Sequence, residues 1–122
     1  MGAATVHEFK DKKSFNNFVD SNKYVVISFT SKKISQSTWI NPTFSKLSEE
    51  HPEIKFVQLD VDEMSGMAQD YGVSEIPRVL CLRNLEPNYE SDCANIGDLT
   101  HCIKTFSELV KAPEAKHINN YT

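Results

Sequence analysis

The sequence predicts an α/β domain, a central mixed β-sheet flanked by helices on both faces. Three observations carry that expectation. Tyr24-Val-Val-Ile-Ser-Phe-Thr30 is a β-branched and aromatic run too continuous for a half-exposed strand, so it reads as a central strand covered on both sides. Segments with helical spacing of apolar residues alternate with strand-like segments through most of the chain. A hairpin and one last amphipathic helix then follow, an order that gives a mixed sheet rather than a wholly parallel one.

Thr5 to Phe9 is a short β-prone piece, and Asp11 with Ser14 opens a helix that puts Phe15, Phe18 and Val19 on one face before Ser21-Asn22 stops it. After the central strand, Trp39, Ile40, Phe44 and Leu47 recur at helical spacing between Ser35 and Glu50, with Pro42 inside the pattern as an expected kink. Ile54 to Asp60 is a second buried strand. A shorter helix over Met64, Met67, Ala68 and Tyr71 closes at Gly72. Val73 to Pro77 reads as a link, Arg78 to Leu82 as a strand, Asn84 to Asn88 as a turn, and Tyr89 to Ala94 as a weaker antiparallel strand. Asp98 to Val110 is an amphipathic helix with Leu99, Ile103, Phe106 and Val110 inward. The expected organisation is one domain over residues 1–111 and a polar tail over 112–122.

The 122 residues suffice for one core without disulfides or metals. The formal charge of −4 has no basic stripe behind it, so neither nucleic acid nor an anionic membrane surface is an expected partner. The expected compartment is the cytoplasm, because Met1 to Thr5 lacks the apolar core of a signal peptide and no stretch is long enough to span a bilayer. Cys81, Cys93 and Cys102 form no C-x-x-C and have no histidine at zinc-like spacing, so no metal site and no cofactor are expected. Cys81 shares a strand face with Val79 and should sit in the core. Cys102, beside the apolar stripe of the last helix, reads as half-buried. Ser35 and Ser37 are better helix caps than nucleophiles, since no histidine lies within the motif and His7, His51, His101 and His117 are scattered over the predicted periphery.

The run Ile27-Ser-Phe-Thr-Ser-Lys-Lys-Ile-Ser-Gln-Ser-Thr-Trp-Ile-Asn-Pro-Thr-Phe44, followed by Phe56 to Asp62, Tyr71-Gly72-Val73 and Ile76-Pro77, resembles the thioredoxin family. That family runs roughly as V-D-F-x-A-x-W-C-G-P-C-x-x-x-x-P-x-F, and Phe29, Pro42 and Phe44 fix the register. The resemblance covers about residues 5–110 and implies the thioredoxin fold, with Pro77 as its cis-proline. It also places Ile34 and Ser37 where the family has its two redox cysteines, with Ser35 and Gln36 between them. Ser28 stands where the family has a buried Asp, and Lys33 where it has a Trp.

Dithiol exchange needs an attacking thiolate and a resolving thiol, and neither Ile34 nor Ser37 supplies a sulfur. The resemblance therefore implies a non-catalytic protein whose partner is an extended polypeptide, bound in the groove formed by Ile76, Pro77, Trp39 and Cys93. The alternative is a divergent redox protein serving cell redox homeostasis through one thiol, Cys93, which the resemblance places beside the degenerate loop.

Overall fold

The computed structural model describes residues 6–33, 40–64, 66–84, 86–91 and 96–111, with backbone alone for 86–91 and 96. Their elements in chain order are β1 (Val6–Glu8), α1 (Lys12–Asp20), β2 (Tyr24–Thr30), α2 (Asn41–Glu50), β3 (Lys55–Asp60), α3 (Met67–Asp70), β4 (Arg78–Arg83), β5 (Glu86–Ser91) and α4 (Ile96–Lys111). The five strands lie in the order β1-β3-β2-β4-β5. β3 runs parallel to both β1 and β2, whereas β4 is antiparallel to β2 and to β5.

The central strand has the environment its composition demands. Every β2 residue from Val25 to Thr30 is buried, and the two-residue period of the strand divides the core in two. Val26 joins Phe56, Val79 and Cys81 on the face covered by Phe44 and Leu47 of α2 and by Leu99, Ile103 and Phe106 of α4. Val25, Ile27 and Phe29 join Val57, Leu59, Leu80 and Leu82 on the other face, under Phe15 and Val19 of α1 and Met67 of α3.

Local chemistry sets most boundaries. Asp11 caps α1 with extended backbone, accepting from the Ser14 amide at 2.8 Å and from the Ser14 hydroxyl at 3.0 Å. Pro42 stands in the first turn of α2, where a missing N–H leaves no intrahelical bond unmade. Pro42, expected to kink a longer helix from inside, thus stands at the start of α2, and the helical turns expected before Ile40 fall in residues 34–39, outside the described ones.

Three expectations are corrected. The helix before Gly72 is a single turn, Met67–Asp70, entered through Gly66 at φ 92° and left through Gly72 at φ 71°. The hairpin is tighter than a turn over 84–88, because the β4–β5 register continues to Arg83↔Glu86. Asn84 turns there at φ 54°, a left-handed conformation that Asn tolerates, and donates its N–H to the Lys23 carbonyl at 2.8 Å. Pro87 is accommodated because β5 is an edge strand with a register shift opposite Cys81 and Leu82. α4 starts two residues earlier than its apolar stripe suggests. The tail over 112–122 lies outside the described residues.

Candidate functional site

The strand directions gather one end of the sheet. β2 ends at Thr30 beside the end of β3 at Asp60, and its antiparallel partner β4 begins there, with Phe29 opposite Arg78. The Ile76–Pro77 step, whose peptide bond is cis, therefore sits immediately before β4 at the point where β2 releases the chain. Ser91 pairs with Val79, so β5 delivers its last residue to this same end.

A small polar network fixes the exit of β2. The Val61 amide donates to the Thr30 carbonyl at 2.9 Å. The Ser31 hydroxyl, almost wholly buried, donates to the Asp62 carboxylate at 2.6 Å, and the same oxygen accepts the Lys33 amide at 3.1 Å. The Asp62 amide in turn donates to the Asp60 carboxylate at 2.8 Å. These bonds hold Thr30 to Lys33 against the end of β3. The Ile34, Ser35, Gln36, Ser37 loop that follows, together with Trp39, lies outside the described residues. Cys93, two residues beyond Ser91, does so as well.

Across the junction, the link before β4 is only partly covered. Glu75 is exposed, while Ile76, Pro77 and Arg78 are half-buried. The Ile76 side chain packs against the core cluster beneath α1 and α3. Among the described residues no hydrogen bond engages its backbone N–H or C=O. Nearby, a cavity of about 180 Å³ opens between the ends of β1, β2 and β3 and the start of α2, lined by Glu8, Lys10, Lys32, Asp60 and Glu63 among others. Its wall mixes both signs of charge. Among the described residues no cluster of three metal-ligating side chains exists, here or elsewhere.

Ser28 lies beneath this end, fully buried, opposite Gln58 on β3 and Val79 on β4. Among the described residues its hydroxyl has no hydrogen-bond partner, an arrangement that costs about 1–3 kcal/mol.

The two described cysteines meet each other instead of this junction. Cys81 is in the middle of β4, opposite Val26, and Cys102 faces it from α4 with the sulfurs 3.9 Å apart. Cys81 is buried as expected. Cys102 is buried too, at 1% exposure, which corrects the half-buried reading. The signal was present, since Cys102 follows Leu99 by three residues and precedes Phe106 by four, within the inward stripe.

No described serine and histidine form a nucleophile and its base. Glu53 stands between the buried Ser107 and the half-buried His51, accepting from the Ser107 hydroxyl at 3.4 Å and lying 3.8 Å from His51 Nδ1. His7 rests its ring on Phe18, with centroids 4.6 Å apart. Burial, with a smaller contribution from the Lys55 charge, lowers the His7 pKa.

The Thioredoxin family model matches this chain over residues 6–111. The chain belongs to the thioredoxin family. Thioredoxin-1 of Saccharomyces cerevisiae is 34% identical over 79 residues, spanning 65% of this chain and 77% of the relative. Thioredoxin-1 of Schizosaccharomyces pombe is 29% identical over 99 residues, spanning 81% and 96%. Among solved structures, the thioredoxin of Schistosoma mansoni superposes with a TM-score of 0.76 at 28% identity, covering 84% of this chain and 95% of that one. The thioredoxin fold thus accounts for the mixed sheet, the helices on both faces, and the meeting of the β2 exit with the proline step.

Proposed function

We propose that this chain is a redox-inactive thioredoxin-family protein that binds an extended segment of a partner polypeptide at the Ile76–Pro77 step. The observation that carries the reading is Ile76 itself. Its side chain is anchored in the core while its backbone donor and acceptor have no partner among the described residues, at a half-exposed position beside the β2 exit. An added strand satisfies both groups, and backbone pairing of this kind supplies affinity without chemistry. The sulfur-free sequence Ile34-Ser-Gln-Ser37 supports the loss of dithiol exchange.

The test has two arms. In the first, the protein is offered insulin with dithiothreitol or with a thioredoxin reductase, and no acceleration of disulfide reduction is expected. In the second, peptides selected on the immobilised protein are titrated into isotopically labelled chain, with the largest amide shifts expected at Ile76 and its neighbours. An Ile76→Pro variant, which lacks the N–H, should bind at least tenfold more weakly. Shifts confined to another face would overturn the binding reading.

A second reading keeps redox activity through Cys93. It is favoured by kinship with proteins named thioredoxins and by the β5 register, which brings Ser91 to the proline end of the sheet. Insulin reduction abolished by Cys93→Ser would establish it in place of the first.

A further inference from the structure

We propose that Cys81 and Cys102 are an oxidisable pair that closes into a disulfide stapling β4 to α4, a modification site separate from the junction at Ile76. The inference stands on position. The sulfurs are 3.9 Å apart between residues 21 positions apart in the chain. Both side chains are enclosed by the same apolar cluster, with Leu99, Ile103 and Phe106 on the helix and Val26 and Val79 on the sheet. Each sulfur thus has the other as its neighbour across the β4–α4 contact. A disulfide needs a separation of about 2.05 Å, so closure asks the two sulfurs to approach by roughly half their present distance.

The oxidant is a peroxide. A thiolate sulfur of the pair attacks one peroxide oxygen and the O–O bond breaks, leaving a sulfenic acid and a hydroxide that takes up the proton the thiol lost on ionising, giving one water. The second sulfur attacks the sulfenic sulfur, the S–O bond breaks, the S–S bond forms, and its thiol proton departs with the hydroxyl as a second water. Two electrons pass from the thiol pair to the peroxide. Because Cys81 and Cys102 are 0% and 1% exposed, the first step waits for α4 to lift from the sheet. The second is fast once α4 reseats, since that returns the resolving sulfur to its place 3.9 Å away. Burial therefore makes the site slow to oxidise and, once closed, slow to reduce.

The staple encloses the β4–β5 hairpin and the first turns of α4. Oxidation should therefore raise the midpoint of thermal unfolding by roughly 10 °C, from the restricted unfolded chain, and slow amide exchange along α4.

The experiment uses the whole chain and a Cys93→Ser variant. No Lys or Arg separates Cys93 from Cys102, so tryptic mapping is unambiguous only without Cys93. After hydrogen peroxide, quenching and alkylation in denaturant, non-reducing mapping of Cys93→Ser should show the Cys81 and Cys102 peptides linked within one chain. The thermal midpoint should rise and return with dithiothreitol. A Cys102→Ala variant should lose the rise, and if it fails to fold, the linked peptides decide alone. Full alkylation of both thiols after oxidant, sulfinic acid at either, or disulfides only between chains would overturn the proposal.

Discussion

The Ser31 hydroxyl donates to the Asp62 carboxylate at 2.6 Å while accepting the Lys33 amide, so one side chain joins the exit of β2 to the exit of β3. Ser31 is almost fully buried and Asp62 is exposed. Solvent therefore weakens the charged bond without abolishing it. Ser31→Ala should lower stability by about 1–2 kcal/mol, read as a shift of the urea midpoint at constant slope. Asp62→Asn keeps an acceptor and should cost less. Equal stability of Ser31→Ala and the parent would show that the network does not hold this end together.

Ser28 gives the opposite expectation. Its hydroxyl is buried and unpartnered, so Ser28→Ala should be neutral or stabilising by up to about 1 kcal/mol, despite removing a buried atom. Ser28→Asp restores the family's residue in a site without a compensating charge in register, since Gln58 and Val79 flank it. Burial raises the pKa of such a carboxyl. With the folded value above the unfolded one, the variant should be most stable in its protonated form at low pH. It should then lose stability by several kcal/mol as pH rises from about 4 through the raised folded pKa. Stability of Ser28→Asp independent of pH across that range would mean that water or a partner reaches the site.

How far the sequence reveals these features depends on how local their causes are. β2, the Asp11–Ser14 cap and the burial of Cys81 follow from neighbours within a few residues, and each was legible. Turn chemistry at Asn84, Pro87 and Asn88 suggested a five-residue turn. The observed hairpin is tighter because β4 and β5 stay paired to Arg83↔Glu86, a non-local preference that composition does not display. The Cys81–Cys102 contact joins a strand to a helix 21 residues later, and the unpartnered Ser28 hydroxyl depends on three strands at once. The groove candidates divide likewise: Ile76 and Pro77 come together with the β2 exit, whereas Trp39, Cys93 and the Ile34–Ser37 loop lie outside the described residues.

His7 makes stability sensitive to mild acid. Its folded pKa lies below the ordinary 6.5, chiefly through burial against its neighbours. The unfolded chain therefore binds the proton more readily, and stability falls as pH drops through about 6.5, levelling off once the folded state is protonated as well. His7→Phe keeps the ring contact with Phe18 and should flatten the urea midpoint between pH 7.5 and 5. The Asp11 carboxyl, whose pKa is lowered by hydrogen bonds from Ser14, acts in a separate window. Its contribution is complete above about pH 4 and is lost only in stronger acid. An unchanged profile in His7→Phe would assign the mild-acid loss to other groups.

The three thiols should separate in native labelling. Cys81 and Cys102 are enclosed on both sides, by the sheet and by the Leu99, Ile103 and Phe106 face of α4, so a reagent reaches either only when the helix leaves the sheet. If that opening costs 4 kcal/mol or more, both should react on the order of 10³-fold more slowly than in the unfolded chain. Cys93, which precedes α4 in the sequence, should react first and account for one equivalent of the three cysteines under native conditions. The order is read by timed alkylation with peptide mapping, and full denaturation should release the other two together. Because one opening exposes both buried sulfurs, their native rates should also rise in parallel with urea, and Phe106→Ala, which loosens the same contact, should accelerate both by a common factor. Fast labelling of Cys81 with Cys102 still protected would mean that β4 is exposed from another side, and would place the weak point of the fold in the sheet and not in the last helix.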